Sequence, residues 1–211
     1  MHPANTILLL GALALEAASM PSDPGSMQIV GGQPGKMEDF PYIVSLYTSG
    51  HFCGGSIISP RFVVTAAHCT MRGSPSQYSI WVGSAEHRSG QKYQVTAIHN
   101  HPKFYERAMD YDVSLLEFGS DIEFGPTAKL ISVTNKTEPT PKESVVSGWG
   151  NTKEGGSPAS TLMYVKIPTI ANSDCATVYK GITDRMVCVG VPEGSKDSCQ
   201  GDSRPTEPLR P

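Results

Sequence analysis

The chain has 211 residues, of which 38% are hydrophobic and 18% are charged, with 21 glycines and 17 prolines. This apolar content is too high for a disordered chain, and the charge content is too low for a coiled coil. The 17 basic and 20 acidic residues leave a net charge of −3 without a polybasic patch, which argues against nucleic acid or an anionic membrane surface as a partner. One domain or two small ones fit the length.

The N-terminus predicts export from the cell. Ile7 to Leu15 is an uncharged apolar run of nine residues, too short to span a bilayer and typical of a signal peptide. No Lys or Arg precedes the run, and a buried N-terminal helix is the alternative interpretation. We expect a signal peptide over residues 1–19 and a secreted, extracellular protein, in which disulfides form readily.

From Ile29 onward the sequence breaks into short β-branched and aromatic runs divided by Gly, Pro, Ser and Asn, which predicts an antiparallel sandwich or barrel. Ser49-Gly50 between two runs predicts a hairpin, and Ser173–Tyr179 predicts a short helix capped by Ser173 or Asp174. The predicted strands are Tyr42–Tyr47, His51–Ser59, Arg61–Thr65, Tyr78–Val82, Tyr93–Ile98, Val113–Phe118, Ser144–Ser147, Leu162–Ile167 and Met186–Val189.

The cysteines lie at Cys53, Cys69, Cys175, Cys188 and Cys199. Two bridges among five cysteines allow fifteen arrangements (five choices of the free thiol, three pairings of the other four), and spacing does not choose among them. No two cysteines lie two to four residues apart, so a metal site is disfavoured.

Two further patterns carry weaker signals. We interpret His99-Asn100-His101 as exposed histidines rather than as ligands. Asn135-Lys136-Thr137 is a glycosylation acceptor triplet, meaningful only in an exported chain, and chance is an equally good explanation.

Three segments carry residues suited to nucleophilic catalysis: Thr65 to Cys69 with His68, Tyr111 to Leu116 with Asp112, and Gly201-Asp202-Ser203. A hydroxyl nucleophile needs a base to take its proton, and that base needs an acceptor that fixes its tautomer. Each residue alone also has an ordinary explanation: a buried histidine, a strand-capping aspartate, a turn serine.

Together these segments resemble the trypsin-like serine proteases of the chymotrypsin fold, from Ile29 to Ser203. The resemblance implies an all-β fold of two antiparallel β-barrels, the second incomplete at its C-terminus, and a serine endopeptidase activity. The motifs, in family order, are Ile29-Val30-Gly31-Gly32, Cys53-Gly54-Gly55-Ser56, the His68 segment, the Asp112 segment, Gly148-Trp149-Gly150 and Asp197 to Ser203.

The resemblance also implies a role for each site residue. Ser203 would be the nucleophile, His68 the general base and acid, and Asp112 the residue that orients the imidazole. The backbone N–H groups of Gly201 and Ser203 would form the oxyanion hole. Asp197 would lie at the base of the specificity pocket and select Lys or Arg before the cleaved bond. Neighbouring Asp110 falls off the motif position and is interpreted as a solvated acid.

Maturation and disulfides follow from the same resemblance. Cys53–Cys69 and Cys175–Cys188 would be bridged, which leaves Cys199 unpaired. Family members are made as zymogens, so residues 20–28 would be a short propeptide whose removal frees Ile29 to pair with Asp202. Met27-Gln28 stands before Ile29 where the family usually has Arg or Lys, so a trypsin-like activator would find no basic residue there.

The pattern departs from the family after Ser203, where Arg204-Pro205 replaces Gly-Gly-Pro. We expect an incomplete peptidase domain over 29–203 and a Pro-rich tail over 204–211, produced by splicing, a frameshift or a gene-model error. An inactive isoform, or a non-catalytic binding or decoy fragment, is the alternative function.

The expected partners are protein or peptide substrates with Lys or Arg at the cleaved position, and protease inhibitors, with the chain a monomer. No cofactor and no metal are expected. Thr70 to Glu86 offers one carboxylate, too few for a calcium loop.

Overall fold

The computed structural model describes residues 32–134, 143–151 and 157–190, which fold mainly into antiparallel strands. This confirms the all-β prediction. The one α-helix of these residues is α1 (Asn172–Val178), and single 3₁₀ turns lie at Ala67–Cys69, Pro75–Gln77 and Glu106–Ala108. The strands are β1 (Gln33–Pro34), β2 (Ile43–Tyr47), β3 (His51–Ser59), β4 (Phe62–Thr65), β5 (Ser79–Val82), β6 (Gln91–Asn100), β7 (Ser114–Phe118), β8 (Glu143–Gly148), β9 (Met163–Ile170) and β10 (Cys188–Val189).

Six strands close into a barrel in the order β2-β3-β4-β7-β6-β5. Closure leaves no strand edge unpaired, which removes a route to aggregation. Alternate side chains fill the interior, as in β7, where Ser114, Leu116 and Phe118 are buried and the residues between them, Leu115 and Glu117, are partly exposed. Ser49-Gly50 forms the predicted hairpin: Tyr47 pairs with His51 across it.

The second unit is a partial sheet around β9. Strand β8 pairs with β9 from end to end, while β1 and β10 pair with opposite ends of its other side. Its own buried cluster consists of Val146, Val165 and Ile167. Within the described ranges this sheet does not close.

A third cluster lies where the barrel meets the second sheet. Ile43 of β2 packs with Trp149, which directly follows β8, and with Leu162, which directly precedes β9. The Trp149 indole N–H donates to the Ala85 carbonyl at 2.6 Å, and the Leu162 N–H donates to the same carbonyl at 2.7 Å. Apolar burial and paired polar groups therefore join the two units.

The structure corrects three local predictions. Strand β1 was not expected, because a Pro-containing pair of residues carries no strand pattern; Pro34 is tolerated because β1 is short and lies at an edge. The strand expected over 186–189 is limited to β10. Helix α1 is capped by Ala171 and not by Ser173 or Asp174, which lie inside its first turn.

Several sequence predictions lie outside the described residues: the signal peptide and propeptide, the Asn135 triplet, and every predicted site residue from Asp197 onward. Among the helices that are described, none has the length and apolar character needed to cross a membrane.

Candidate active site

His68 is held on a rigid turn. It occupies the 3₁₀ turn Ala67–Cys69 that follows β4, with Ala67 fully buried on one side. On the other side Cys69 is bridged to Cys53 of β3. A buried alanine and a covalent link to the neighbouring strand fix the backbone on both sides of the histidine.

Asp112 lies just before β7, and its side chain is only 2% exposed. Burial of a carboxylate is costly unless hydrogen-bond donors compensate for the lost water. Both carboxylate oxygens have such donors in His68. The backbone N–H of His68 donates to Oδ1 at 2.9 Å, and the ring Nδ1 lies 2.8 Å from Oδ2.

Strand register explains how residues 44 positions apart meet. Strands β4 and β7 pair antiparallel, with Thr65 opposite Ser114. His68 follows Thr65 by three residues and Asp112 precedes Ser114 by two, so both emerge at the same end of this strand pair. The Thr70 hydroxyl is 3.1 Å from the Ser114 hydroxyl and 2.6 Å from the Asn100 amide oxygen. These contacts connect the segment that carries His68 to the segment that carries Asp112.

The geometry fixes which ring nitrogen is basic. A carboxylate can only accept, so Nδ1 of a neutral His68 ring carries the proton and donates it to Asp112. Nε2 therefore carries the lone pair, and it lies 3.4 Å from the sulfur of Cys69. The imidazole side chain is 36% exposed, which leaves it accessible to a reacting group. Such a nitrogen can take a proton from a hydroxyl and return it later.

The two disulfides implied by the resemblance are present, Cys53–Cys69 and Cys175–Cys188. Cys53, His68 and Cys69 also form the one cluster of three potential metal ligands among the described residues, with ligand atoms within 4.8 Å of each other. Both sulfurs are consumed by the disulfide, and a metal ligand must be a thiolate, so this cluster does not fit a metal ion.

The structure thus brings together two of the three predicted triad residues. Ser203, the oxyanion-hole residue Gly201 and the pocket residue Asp197 lie outside the described residues. So do the activation pair, Ile29 with Asp202, and the unpaired Cys199.

The interpretation of Asp110 as a solvated acid is wrong. Its two oxygens accept from Arg185, at 2.9 Å from Nε and 3.0 Å from Nη2, and its side chain is 19% exposed. Hydrogen bonds from Arg185 lower the pKa of the Asp110 carboxyl below its usual value, because they favour the charged form. No local pattern signals this pair, since 75 residues separate its members.

A second group missed by the sequence analysis surrounds Tyr47. Its hydroxyl hydrogen-bonds to Nδ1 of His87, and the His87 ring lies 5.3 Å from that of His51. His51 Nδ1 is in turn 2.8 Å from the Ser45 hydroxyl. Burial, and then the neighbouring Arg88, lower the pKa of His87.

The closed barrel, the partial second sheet and a histidine backed by a buried carboxylate define a protein of the chymotrypsin-like class. The sequence profile of the trypsin family matches residues 29–203. The chain is 41% identical to a vitellin-degrading protease of Bombyx mori, covering 94% of this chain and 78% of that protein. It is 40% identical to trypsin 5G1 of Aedes aegypti (84% and 70% covered) and 38% identical to trypsin of Sus scrofa (83% and 77%). The chain belongs to the trypsin family of serine endopeptidases.

Proposed function

We propose that this protein is a secreted serine endopeptidase that hydrolyses peptide bonds after Lys or Arg, with His68, Asp112 and Ser203 as its triad. The observation that carries the proposal is the His68–Asp112 pair. Both oxygens of a buried carboxylate are bound to one histidine, whose side chain is 36% exposed and whose second ring nitrogen carries the lone pair. Ser203 is assigned as the nucleophile from its position in the family motif.

The proposed chemistry is acyl transfer in two stages. The Ser203 oxygen attacks the scissile carbonyl carbon while its proton moves to Nε2 of His68. The tetrahedral intermediate collapses as the C–N bond breaks and the imidazolium gives that proton to the leaving amine. Water then attacks the ester carbon as Nε2 takes its proton, and the imidazolium returns that proton to the Ser203 oxygen when the C–O bond of the ester breaks.

Asp112 acts throughout on the imidazole. Its carboxylate keeps Nδ1 protonated in the resting ring and stabilises the imidazolium that forms in each stage. The backbone N–H groups of Gly201 and Ser203 would stabilise the oxyanion, and one such donor is worth about a hundred- to a thousandfold in rate.

Specificity and activation complete the proposal. Asp197, six residues before Ser203, would place a negative charge at the base of the pocket and favour a cationic side chain. A new amine at Ile29 would pair with Asp202. Because Gln28 precedes Ile29, the activator would be a protease that does not require a basic residue there.

Export is proposed on two grounds. The apolar run near the N-terminus is typical of a signal peptide. The two disulfides of the described residues fit an oxidising compartment. N-terminal sequencing of the protein recovered from the medium of expressing cells would check both export and the cleavage point.

The test is covalent labelling of the full chain with an arylphosphonate that carries a basic side chain. We expect an adduct on Ser203, located by peptide mass spectrometry, and its loss in His68→Ala. The Asp197→Ser variant should be labelled faster by a phosphonate with an aromatic side chain than by the one with a basic side chain. If the folded chain is labelled by neither reagent, the non-catalytic binding or decoy function is supported.

A further inference from the structure

The turn that leads into Asp112 has an unfavourable backbone conformation. Met109 and Tyr111 have φ angles of 50° and 54°, in the left-handed region that residues other than glycine seldom adopt. Such residues persist only where surrounding contacts hold them. Because Tyr111 directly precedes Asp112, whatever holds this turn also sets the direction of the Asp112 carboxylate.

Arg185 makes two hydrogen bonds to this turn. Its guanidinium binds both oxygens of Asp110, the residue between the two left-handed positions, in the fork geometry given above. Asp110 Oδ1 also accepts the backbone N–H of Tyr111 at 3.0 Å. Isolated surface ion pairs contribute little, but a bidentate Arg–carboxylate pair fixes distance and orientation together.

The same guanidinium contacts the next residue as well. Its central carbon lies 4.5 Å from the centroid of the Tyr111 ring, and the ring of His101 stacks on Tyr111 at 4.6 Å. Lys103 lies 5.5 Å from the same centroid. Arg185 therefore restrains both the carboxylate of Asp110 and the ring of Tyr111.

The segment that carries Arg185 is held in place by helix α1. The Asn172 amide of α1 donates to the carbonyls of Thr183 and Met186, on both sides of Arg185. The Cys175–Cys188 disulfide closes the same segment onto α1. The anchor is thus fixed to the helix and sheet of the second unit, whereas the residue it controls belongs to the barrel.

We propose that Arg185 is a positioning residue for the catalytic pair: its fork on Asp110 holds the 109–111 turn so that Asp112 faces His68. Through Asp110 and Asp112, it links the second unit to the His68 ring, and its role is to position that ring rather than to bind substrate. Its catalytic importance rests on the proposed function, but the contact can be tested without any hydrolysis.

The readout is the Nδ1 proton of His68, followed by NMR in the full chain. This proton is held by Asp112, so its exchange with solvent reports how firmly the carboxylate stays on the ring. In Arg185→Ala we expect exchange to quicken by about tenfold or more, the scale of a lost hydrogen bond to a charged group. Arg72→Ala is the matched control, because Arg72 forms an exposed ion pair with Glu106 of the same loop but leaves the 109–111 turn untouched; its exchange rate should stay unchanged.

Chemical rescue of Arg185→Ala distinguishes the effect of two parallel hydrogen bonds to Asp110 from the effect of a positive charge alone. Ethylguanidinium added to Arg185→Ala should slow the exchange again, because it can restore two parallel hydrogen bonds to Asp110. Ethylammonium at the same concentration should not. Arg185→Lys, which keeps the charge and loses the fork, should behave like Arg185→Ala and serves as the test variant if the alanine protein does not fold.

An unchanged exchange rate in a folded Arg185 variant would overturn the positioning role, and equal rescue by both cations would overturn the claim that the fork provides it. Neither depends on Ser203. A chain that fails to label with the phosphonate but shows the predicted exchange would refute the proposed function and leave the positioning role standing.

Discussion

Among the residues that the structure describes, the barrel and the second sheet differ in strand closure and in the size of their buried clusters. The barrel is closed, and a single core of fourteen buried residues, including Ile57, Leu116 and Phe118, fills it. The described part of the second sheet is open and buries three residues in its own cluster. Both members of the proposed catalytic pair lie on segments that adjoin barrel strands, so the geometry of His68 and Asp112 depends on the closed unit.

The comparison shows that contacts from both units hold His68 and Asp112 in place. Within the barrel, strand register, the Cys53–Cys69 bridge and the Thr70–Ser114 contact bring His68 to Asp112. From the second unit, Arg185 restrains the turn before Asp112. The following predictions test this division, from the largest expected effect to the smallest.

The catalytic pair should give the largest effect. Replacing His68 by Ala removes the proposed general base, which should contribute about a hundred- to ten-thousandfold to the rate. Asp112→Asn keeps the shape but can donate to Nδ1, which favours the tautomer with the proton on the wrong nitrogen. Both should slow phosphonate labelling in stopped time courses. Labelling of Asp112→Asn at the rate of the unaltered chain would contradict the role given to the carboxylate.

Core truncations compare the two units directly. Ile57 in the barrel and Ile167 in the second sheet are both fully buried, so the same change can be made in each. Ile57→Ala should cost about 4 kcal/mol of unfolding free energy, and Ile167→Ala nearer 2 kcal/mol, because the described cluster around Ile167 is smaller and can relax around the cavity. Urea denaturation would measure both. Equal losses would mean that the second unit is packed as tightly as the barrel.

Removing each disulfide in turn distinguishes an effect on stability from an effect on the geometry of the His68 ring. Their sequence separations of 16 and 13 residues predict similar losses of about 3 kcal/mol when either pair is changed to serine. Only removal of Cys53–Cys69 should shift the NMR signals of the His68 ring, since that bridge adjoins the histidine. Ring signals that shift equally in both double variants would contradict the local role of this bridge.

The smallest effect concerns pH. The folded-state pKa of His87 lies below its ordinary value of 6.5, so the unfolded chain takes up a proton first as the pH falls. This residue therefore lowers stability as the pH drops from about 6.5 through its folded-state pKa. The unaltered protein should lose more Tm than His87→Gln between about pH 7.5 and pH 5.5, by differential scanning calorimetry. Equal losses would show that His87 is not the group responsible.

Local sequence pattern predicted much of the fold. Alternating apolar residues and turn residues located five of the six barrel strands to within one residue at each end, whereas β6 begins two residues earlier and ends two later than expected. The Ser49-Gly50 hairpin is likewise a local signal. Family motifs supplied His68 and Asp112, because their separation of 44 residues hides their contact from any local pattern.

Contacts between distant residues were not predictable. Asp110 looked like an ordinary surface acid because its partner, Arg185, lies 75 positions away. Strand β1 was missed because two residues carry no periodicity, and its existence depends on the pairing offered by β9. The cap of α1 was misplaced because Ser173 and Asp174 are good capping residues by type, whereas the fold begins the helix after Ala171.

The central claim is that Asp112 fixes the tautomer of His68 so that Nε2 is the base. Nitrogen-15 NMR of the neutral imidazole tests it directly, because a protonated and a lone-pair-bearing ring nitrogen have well-separated chemical shifts. The account predicts a protonated Nδ1 and a lone pair on Nε2. A ring whose proton resides on Nε2 in the folded chain would contradict it.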